Sequence, residues 1–205
     1  MSYREGATYY TPFELATAAV ATLALGKGAR ALEPHAGGGA FCRALRTRSE
    51  AEGLDLRIHA LDVNQAAPGF DFANSALRGA DFLTVPLHKP FDVVCGNPPF
   101  GPGPGVAEAH IRRALEVVVP GGIVAFLLRS SILGSTERLG LWREHPPRWV
   151  YSIAPRPSFT GDGKTDGAEY VWVVWQKGWA WAPELRWLAW EKPCRRATVE
   201  GREAA

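Results

Sequence analysis

Asn97-Pro98-Pro99-Phe100 is the stretch of this chain whose residue types carry the most specific chemistry. It follows Phe91-Asp92-Val93-Val94-Cys95-Gly96, a short apolar run that reads as a buried strand, so the tetrapeptide sits where that strand ends. In open α/β sheets, ligands bind in the crevice outside the carboxyl ends of the strands. Two prolines fix φ, remove two backbone donors and stiffen the loop. Their carbonyls and the Asn97 amide stand as preset acceptors beside the flat face of Phe100. That arrangement suits an amino group on a planar ring or amide. Such an amine is a poor nucleophile, because its lone pair is delocalised. If the Asn97 side-chain oxygen and the Pro98 carbonyl each accept one of its N–H bonds, the nitrogen is drawn toward tetrahedral geometry and its lone pair is localised. No strong base is needed, since the acceptors stabilise charge that develops in the transition state. Phe100 would stack on the ring. The alternative is an Asn-Pro turn that closes a strand.

Upstream lies Ala29-Arg30-Ala31-Leu32-Glu33-Pro34-His35-Ala36-Gly37-Gly38-Gly39-Ala40-Phe41. Residues 29 to 33 read as a short strand. Gly37 to Gly39 allow a tight turn and close approach by a ligand. Ala40 to about Glu52 reads as a helix with Phe41, Ala44 and Leu45 inward. Strand, glycine turn and helix form the nucleotide-binding opening of a βαβ unit. A second strand, Leu56 to Leu61, ends at Asp62. That acid lies roughly 20 residues past the glycines, where a carboxylate reaches ribose hydroxyls in such folds.

With these motifs the chain resembles the class I S-adenosylmethionine-dependent methyltransferases. It is most similar to the amino-methyltransferases that modify adenine N6, in the arrangement with the cofactor motifs first and the catalytic motif after them, possible phage or mobile-element types included. Tyr10-Thr11-Pro12-Phe13 resembles the N-terminal Thr-Pro motif beside the cofactor's methionine end. Leu32 to Gly39 resembles the glycine motif, in which Glu33, with Pro34, Gly37 and Gly39 around it, helps to hold the methionine part. Asp62 matches the ribose-binding acid. Asp81-Phe82 resembles the pair whose carboxylate accepts from the cofactor's adenine amine. Asn97, Pro98, Pro99 and Phe100 match the catalytic motif. The resemblance runs from residue 9 to about 175 and implies S-adenosylmethionine as cofactor. Phe159, in Arg156-Pro157-Ser158-Phe159, corresponds to an aromatic that packs on the flipped base. Phe100 and Phe159 would sandwich that base, with Arg156 beside them for phosphate. The alternative for Phe159 is an aromatic that plugs the core. Lys164, in the polar loop that follows, is a weaker phosphate candidate.

Composition fits one catalytic domain with a sizeable core. No apolar run is long enough to span a bilayer. The N-terminus lacks a secretory pattern. Cys42, Cys95 and Cys194 show no paired spacing, which reads as reduced thiols in a cytoplasmic protein. No cluster has metal-ligand spacing, so no metal is expected. The net charge is only +2. A dedicated nucleic-acid binder is usually more basic. Arginine nevertheless outnumbers lysine, and Arg112, Arg113, Arg129 and Arg156 lie near the motifs, either meeting phosphates or decorating solvated faces.

The elements that must position these residues are those of an α/β, Rossmann-like class I methyltransferase fold. The resemblance implies a seven-stranded, mostly parallel sheet with its last strand antiparallel and helices on both faces. A helix is expected over residues 12 to 25 and another over 106 to 119, broken by Gly121-Gly122. Strands are expected at Ile123 to Leu128, 148 to 154 and 169 to 176, with a short helix around Glu137 to Glu144. Residues 1 to 177 form the methyltransferase domain. Residues 178 to 205 form a Trp-rich extension, not a separate domain, that either contacts a partner or adds a strand burying its indoles. The sequence-specific relatives carry a large recognition domain, whereas about 30 residues follow the last core strand here. The reading is therefore an adenine-N6 methyltransferase acting on nucleic acid, DNA rather than RNA, with low sequence specificity and a possible protein partner for recognition. RNA adenine or guanine amines, a protein glutamine, or a non-catalytic partner subunit are the alternatives.

Overall fold

The structure is a computed structural model that describes residues 10–99, 105–159 and 167–192. Among the described residues eight strands form one sheet in the order β3-β2-β1-β4-β5-β7-β6-β8. They are β1 (Arg30–Glu33), β2 (Arg57–Asp62), β3 (Ser75–Arg78), β4 (Phe91–Gly96), β5 (Val118–Arg129), β6 (Trp149–Ala154), β7 (Tyr170–Gln176) and β8 (Glu184–Ala189). The α-helices are α1 (Phe13–Ala21), α2 (Ala40–Glu52), α3 (Val106–Val117) and α4 (Leu139–Glu144). β3, β2, β1, β4 and β5 run parallel in turn, and β7 is antiparallel to both its neighbours.

Both faces of the sheet are covered. Along β7 the residues Trp172 and Val174 join the core under α1 and α2, while Val171, Val173 and Trp175 join the core under α3. A strand buried on both sides reads as an unbroken apolar run, which is why Tyr170 to Trp175 contains no polar residue. Trp172 shows how the layers lock. Its ring stacks on Phe41 at 5.4 Å and 9°, and its indole N–H donates to Thr22 Oγ1 at 3.0 Å.

The chain starts at the centre of the sheet, moves outward through β2 to β3, and returns to β4 on the other side of β1. Loops after β1 and β4 therefore leave toward opposite sides and open a crevice between them. The glycine turn and the Asn97 loop are the two lips of that crevice.

Several expectations are corrected. The sheet has eight strands, not seven. Unforeseen β3 is short and wholly exposed, so no burial pattern marks it. The strand expected at 169 to 176 is antiparallel as expected, as β7, and the eighth strand is β8, which runs parallel to β6. α3 ends at Val117, and Gly121 and Gly122 lie inside β5 rather than breaking the helix. Pairing shifts register there, from Phe91 opposite Val118 to Val93 opposite Ile123, an irregularity that small residues accommodate. The extension buries one indole of four well: Trp190 is 7% exposed, whereas Trp181 and Trp187 are 67% and 70% exposed. No helix among the described residues is long and apolar enough to cross a membrane.

Candidate active site

Glu33 closes β1 and is 1% exposed. Its Oε1 accepts the His35 backbone N–H at 3.0 Å. Burial pushes its carboxyl well above the usual range, the His35 amide opposes that, and the charge of Asp62 adds to the rise. Among the described residues no cation pairs with this acid, and a ligand ammonium would supply one. Gly96, at the end of β4, makes room for it. A Cβ at Gly96 would lie 2.7 Å from Glu33 Cδ and closer still to Oε1. The sequence signal was there: a glycine in the last strand position before Asn97.

Gly37 to Gly39 turn the chain into α2. Gly39 has φ +87°, and a Cβ there would lie 2.7 Å from the Phe72 ring and 2.8 Å from Gly69 Cα. Only glycine meets both the conformation and the contact. Asp62, at the tip of β2, pins the turn from below. Its Oδ2 accepts the Gly37 N–H and its Oδ1 the Asn64 N–H, each at 2.8 Å. Each oxygen keeps a second lone pair for a ligand hydroxyl. A brace that sequence reasoning missed comes from a 3-10 turn at Pro68–Phe72, whose Gly69 N–H donates to the Gly37 carbonyl at 3.0 Å.

Asp81 is tied to the same strand tip, because the N–H groups of Gly79 and Ala80 both donate to the Asp62 carbonyl. Its side chain is exposed and caps its own turn, with Oδ1 accepting the Leu83 N–H at 2.9 Å. Phe82 is 1% exposed and packs edge-on to His35 at 5.9 Å. His35 also meets His110 at 4.8 Å and Phe126 at 6.0 Å. Both its ring nitrogens are buried without a hydrogen-bond partner among the described residues. Burial, with His110 adding to it, holds its pKa well below the usual imidazole value.

Asn97 lies just past β4. Its Nδ2 donates to Thr11 Oγ1 at 3.2 Å. Its Oδ1 is buried and has no partner among the described residues. Thr11 is held just before α1, where the Pro12 carbonyl accepts the Ala16 N–H. Thr11, Glu33, His35, Gly37, Gly39 and Asn97 all line one cleft of about 440 Å³. Pro34 and Pro98 are buried beneath it, and Pro99 is exposed. The cleft thus joins an undercompensated acid, a glycine turn and an unpaired amide oxygen.

The substrate side is less complete. Phe100 and Lys164 lie outside the described residues. Phe159 corrects the expectation of an open stacking face: it is 3% exposed, in the core, with its ring 4.8 Å from Tyr170 at 59°. It fills the space where β6 leaves the sheet. Arg156 is exposed on the same segment. Arg112 is paired with Glu108 and Glu144, and Arg113 with Glu116, so these two arginines decorate a helix face.

No protein-family model matches the chain. The chain is 36% identical to the type II methyltransferase M.TthHB8I of Thermus thermophilus, over 78% of this chain and 48% of that protein. It thus spans about half the length of the curated relative it matches. Among solved structures it resembles a Listeria monocytogenes protein provisionally classed as a class I S-adenosylmethionine-dependent methyltransferase, with a TM-score of 0.65, 16% identity, and coverage of 88% of this chain and 63% of that one. It equally resembles the M protein of the type I restriction enzyme EcoKI, with a TM-score of 0.65, 16% identity, and coverage of 91% and 50%.

Proposed function

This chain has the fold of the class I S-adenosylmethionine-dependent methyltransferases, and from that premise we propose that it transfers a methyl group from S-adenosylmethionine to the exocyclic amine of adenine in DNA. The single observation that carries the reading is the buried, unpaired Asn97 Oδ1 in the cleft that also holds Glu33 and the glycine turn. A buried acceptor left unmade costs about 1–3 kcal/mol, so a site that retains one has a donor to meet. An amine supplies that donor.

The residues fit the cofactor. Glu33 would answer its ammonium, the Gly37–Gly39 turn would let it approach the backbone, Asp62 would offer lone pairs to its ribose, and the exposed Asp81 would accept from its base amine, with Phe82 buried behind His35. When bound, the cofactor supplies an electrophilic methyl carbon. Asn97 Oδ1 and the Pro98 carbonyl accept the two N–H groups of the amine and orient its lone pair. The proton lost after transfer passes to solvent, since no residue of the motif is a base. Phe100 is the ring expected to stack on the adenine. The likeness to a type II methyltransferase and to a restriction-enzyme M protein, with the exposed Arg156, supports nucleic acid over a protein glutamine.

The test offers cofactor with a labelled methyl to duplex DNA, single-stranded DNA, structured RNA and cell protein, and identifies the product by mass. Label in N6-methyladenine from DNA is expected. Label in RNA or in glutamine moves the substrate, and cofactor binding without any label argues for a non-catalytic role.

A further inference from the structure

The Trp-rich extension is tied to the substrate side of the sheet. β8 pairs with β6 over its whole length, from Trp149 opposite Glu184 to Ala154 opposite Ala189. At its end the Trp190 backbone N–H donates to the Ala154 carbonyl at 3.2 Å. The Trp190 indole N–H then donates to the Pro155 carbonyl at 2.7 Å. The next residue is Arg156, and the segment ends at Phe159. Leu188 and Trp190, two apart and so on one face of an extended chain, are 6% and 7% exposed and share the core of Tyr151, Ile153 and Phe159. Trp187, on the other face, is 70% exposed.

Two donors of one residue thus hold two successive carbonyls at the point where β6 leaves the sheet toward the active-site edge. The indole contact is a directional hydrogen bond at near-optimal length, not shape filling alone. A core role would be met by any large apolar ring. The N–H adds a fixed direction for the Pro155 carbonyl, and hence for the side chain that follows it.

We propose that Trp190 is a positioning residue for nucleic-acid substrate: by pinning Ala154 and Pro155 it sets where Arg156 is presented, so the C-terminal strand tunes substrate affinity without touching the cofactor cleft. This rests on the function proposed above. Its logic is separable, because the cofactor residues lie at the ends of β1, β2 and β4 and Trp190 lies just past β8.

The experiment compares wild type with Trp190→Phe, which keeps a smaller aromatic ring and removes the N–H. Steady-state transfer to a DNA duplex, cofactor Kd by titration and thermal melting are measured together. Duplex affinity is measured by anisotropy with S-adenosylhomocysteine present. Trp190→Phe is expected to raise KM and duplex Kd about five- to tenfold, the value of one hydrogen bond, with kcat and cofactor Kd within about twofold. Arg156→Ala is expected to do the same, and the double variant to be no worse than either single one, since both act on one contact. Trp187→Ala should change none of these. Unchanged duplex affinity in Trp190→Phe overturns the proposal, as do additive effects in the double variant or a parallel loss of cofactor affinity and melting temperature. Wild type that binds duplex without methylating adenine would sink the proposed function while the Trp190 comparison still decides the positioning role. Wild type that neither binds nor methylates nucleic acid overturns both.

Discussion

The side chains of Asn97 and Thr11 are joined by a 3.2 Å hydrogen bond between residues 86 apart in sequence. The Asn97 amide is the donor in this bond, which leaves its oxygen as the end not spent on Thr11. Its N–H points to the start of α1, and its oxygen is left buried and unpaired. The N-terminal motif therefore does more than border a pocket: it engages the residue proposed to receive the amine.

Thr11→Val keeps the shape of that residue and removes the acceptor. Without it the Asn97 amide is free to turn over, and kcat should fall about tenfold, the upper value of one net hydrogen bond. Asn97→Ala should lower kcat by at least about 100-fold, as for other preorganised groups that stabilise transition-state charge. Cofactor Kd should hold within about twofold in both. Single-turnover transfer and a binding titration check this, and a matched loss of transfer and cofactor affinity in Asn97→Ala would assign Asn97 to the framework.

Asp62→Ala should give the reverse split. It removes a ribose acceptor and also frees the Gly37 N–H that Asp62 Oδ2 now accepts at 2.8 Å. With two charge-assisted bonds at stake, cofactor Kd should rise by at least about tenfold, and kcat at saturating cofactor should move less. Tight cofactor binding by this variant would refute the ribose assignment.

Gly69→Ala tests the brace behind the glycine turn. A Cβ at Gly69 would lie 2.8 Å from the Ala36 carbonyl carbon, so the turn must shift. Overpacking of this kind costs about 1–3 kcal/mol, and calorimetric cofactor titration should show weaker binding along with a lower Tm. Gly140→Ala is the matched control, because it has open space in α4 and should bind cofactor normally.

His35 should make stability pH-dependent. In the fold, burial and His110 keep it neutral, while the unfolded chain titrates near 6.5. As pH falls below 6.5 the unfolded state takes up a proton that the folded state refuses, so stability drops; above 6.5 its contribution is whole. Glu33 acts in the opposite sense. Its raised carboxyl favours the fold below 4.5, and that gain is lost as pH rises through its folded value. Urea unfolding between about pH 7.5 and about pH 5.5 should carry a His35 loss of up to about 1.4 kcal/mol per pH unit below 6.5, offset in part by Glu33. His35→Phe should flatten it, and an unchanged slope would show that the loss belongs to other groups.

The site was legible where chemistry and backbone demand coincide. Strand, glycine turn, Asp62 and Asn97 could each be read because φ, spacing and residue type are all restrictive there, and α2 runs from Ala40 to Glu52 as its apolar spacing implied. Long-range contacts were not legible. Nothing local marks Gly69 as a support for Gly37, or Thr11 as the group that orients Asn97. β3 has four exposed residues and no alternation to betray it. Phe159 carried the right residue type, but type alone does not say whether a ring faces a cleft or the core, and here Tyr170 holds it inside.

The contact between Gly96 and Glu33 makes these two positions trade volume. A methyl added at position 96 enters space that the Glu33 carboxyl occupies. Only a shorter acid at position 33 would vacate it. In a library randomised at both sites and selected for methyl transfer, survivors should pair glycine with glutamate, with alanine appearing only beside aspartate. Neither position can drift alone, so the innermost wall of the cleft changes in coupled steps or not at all.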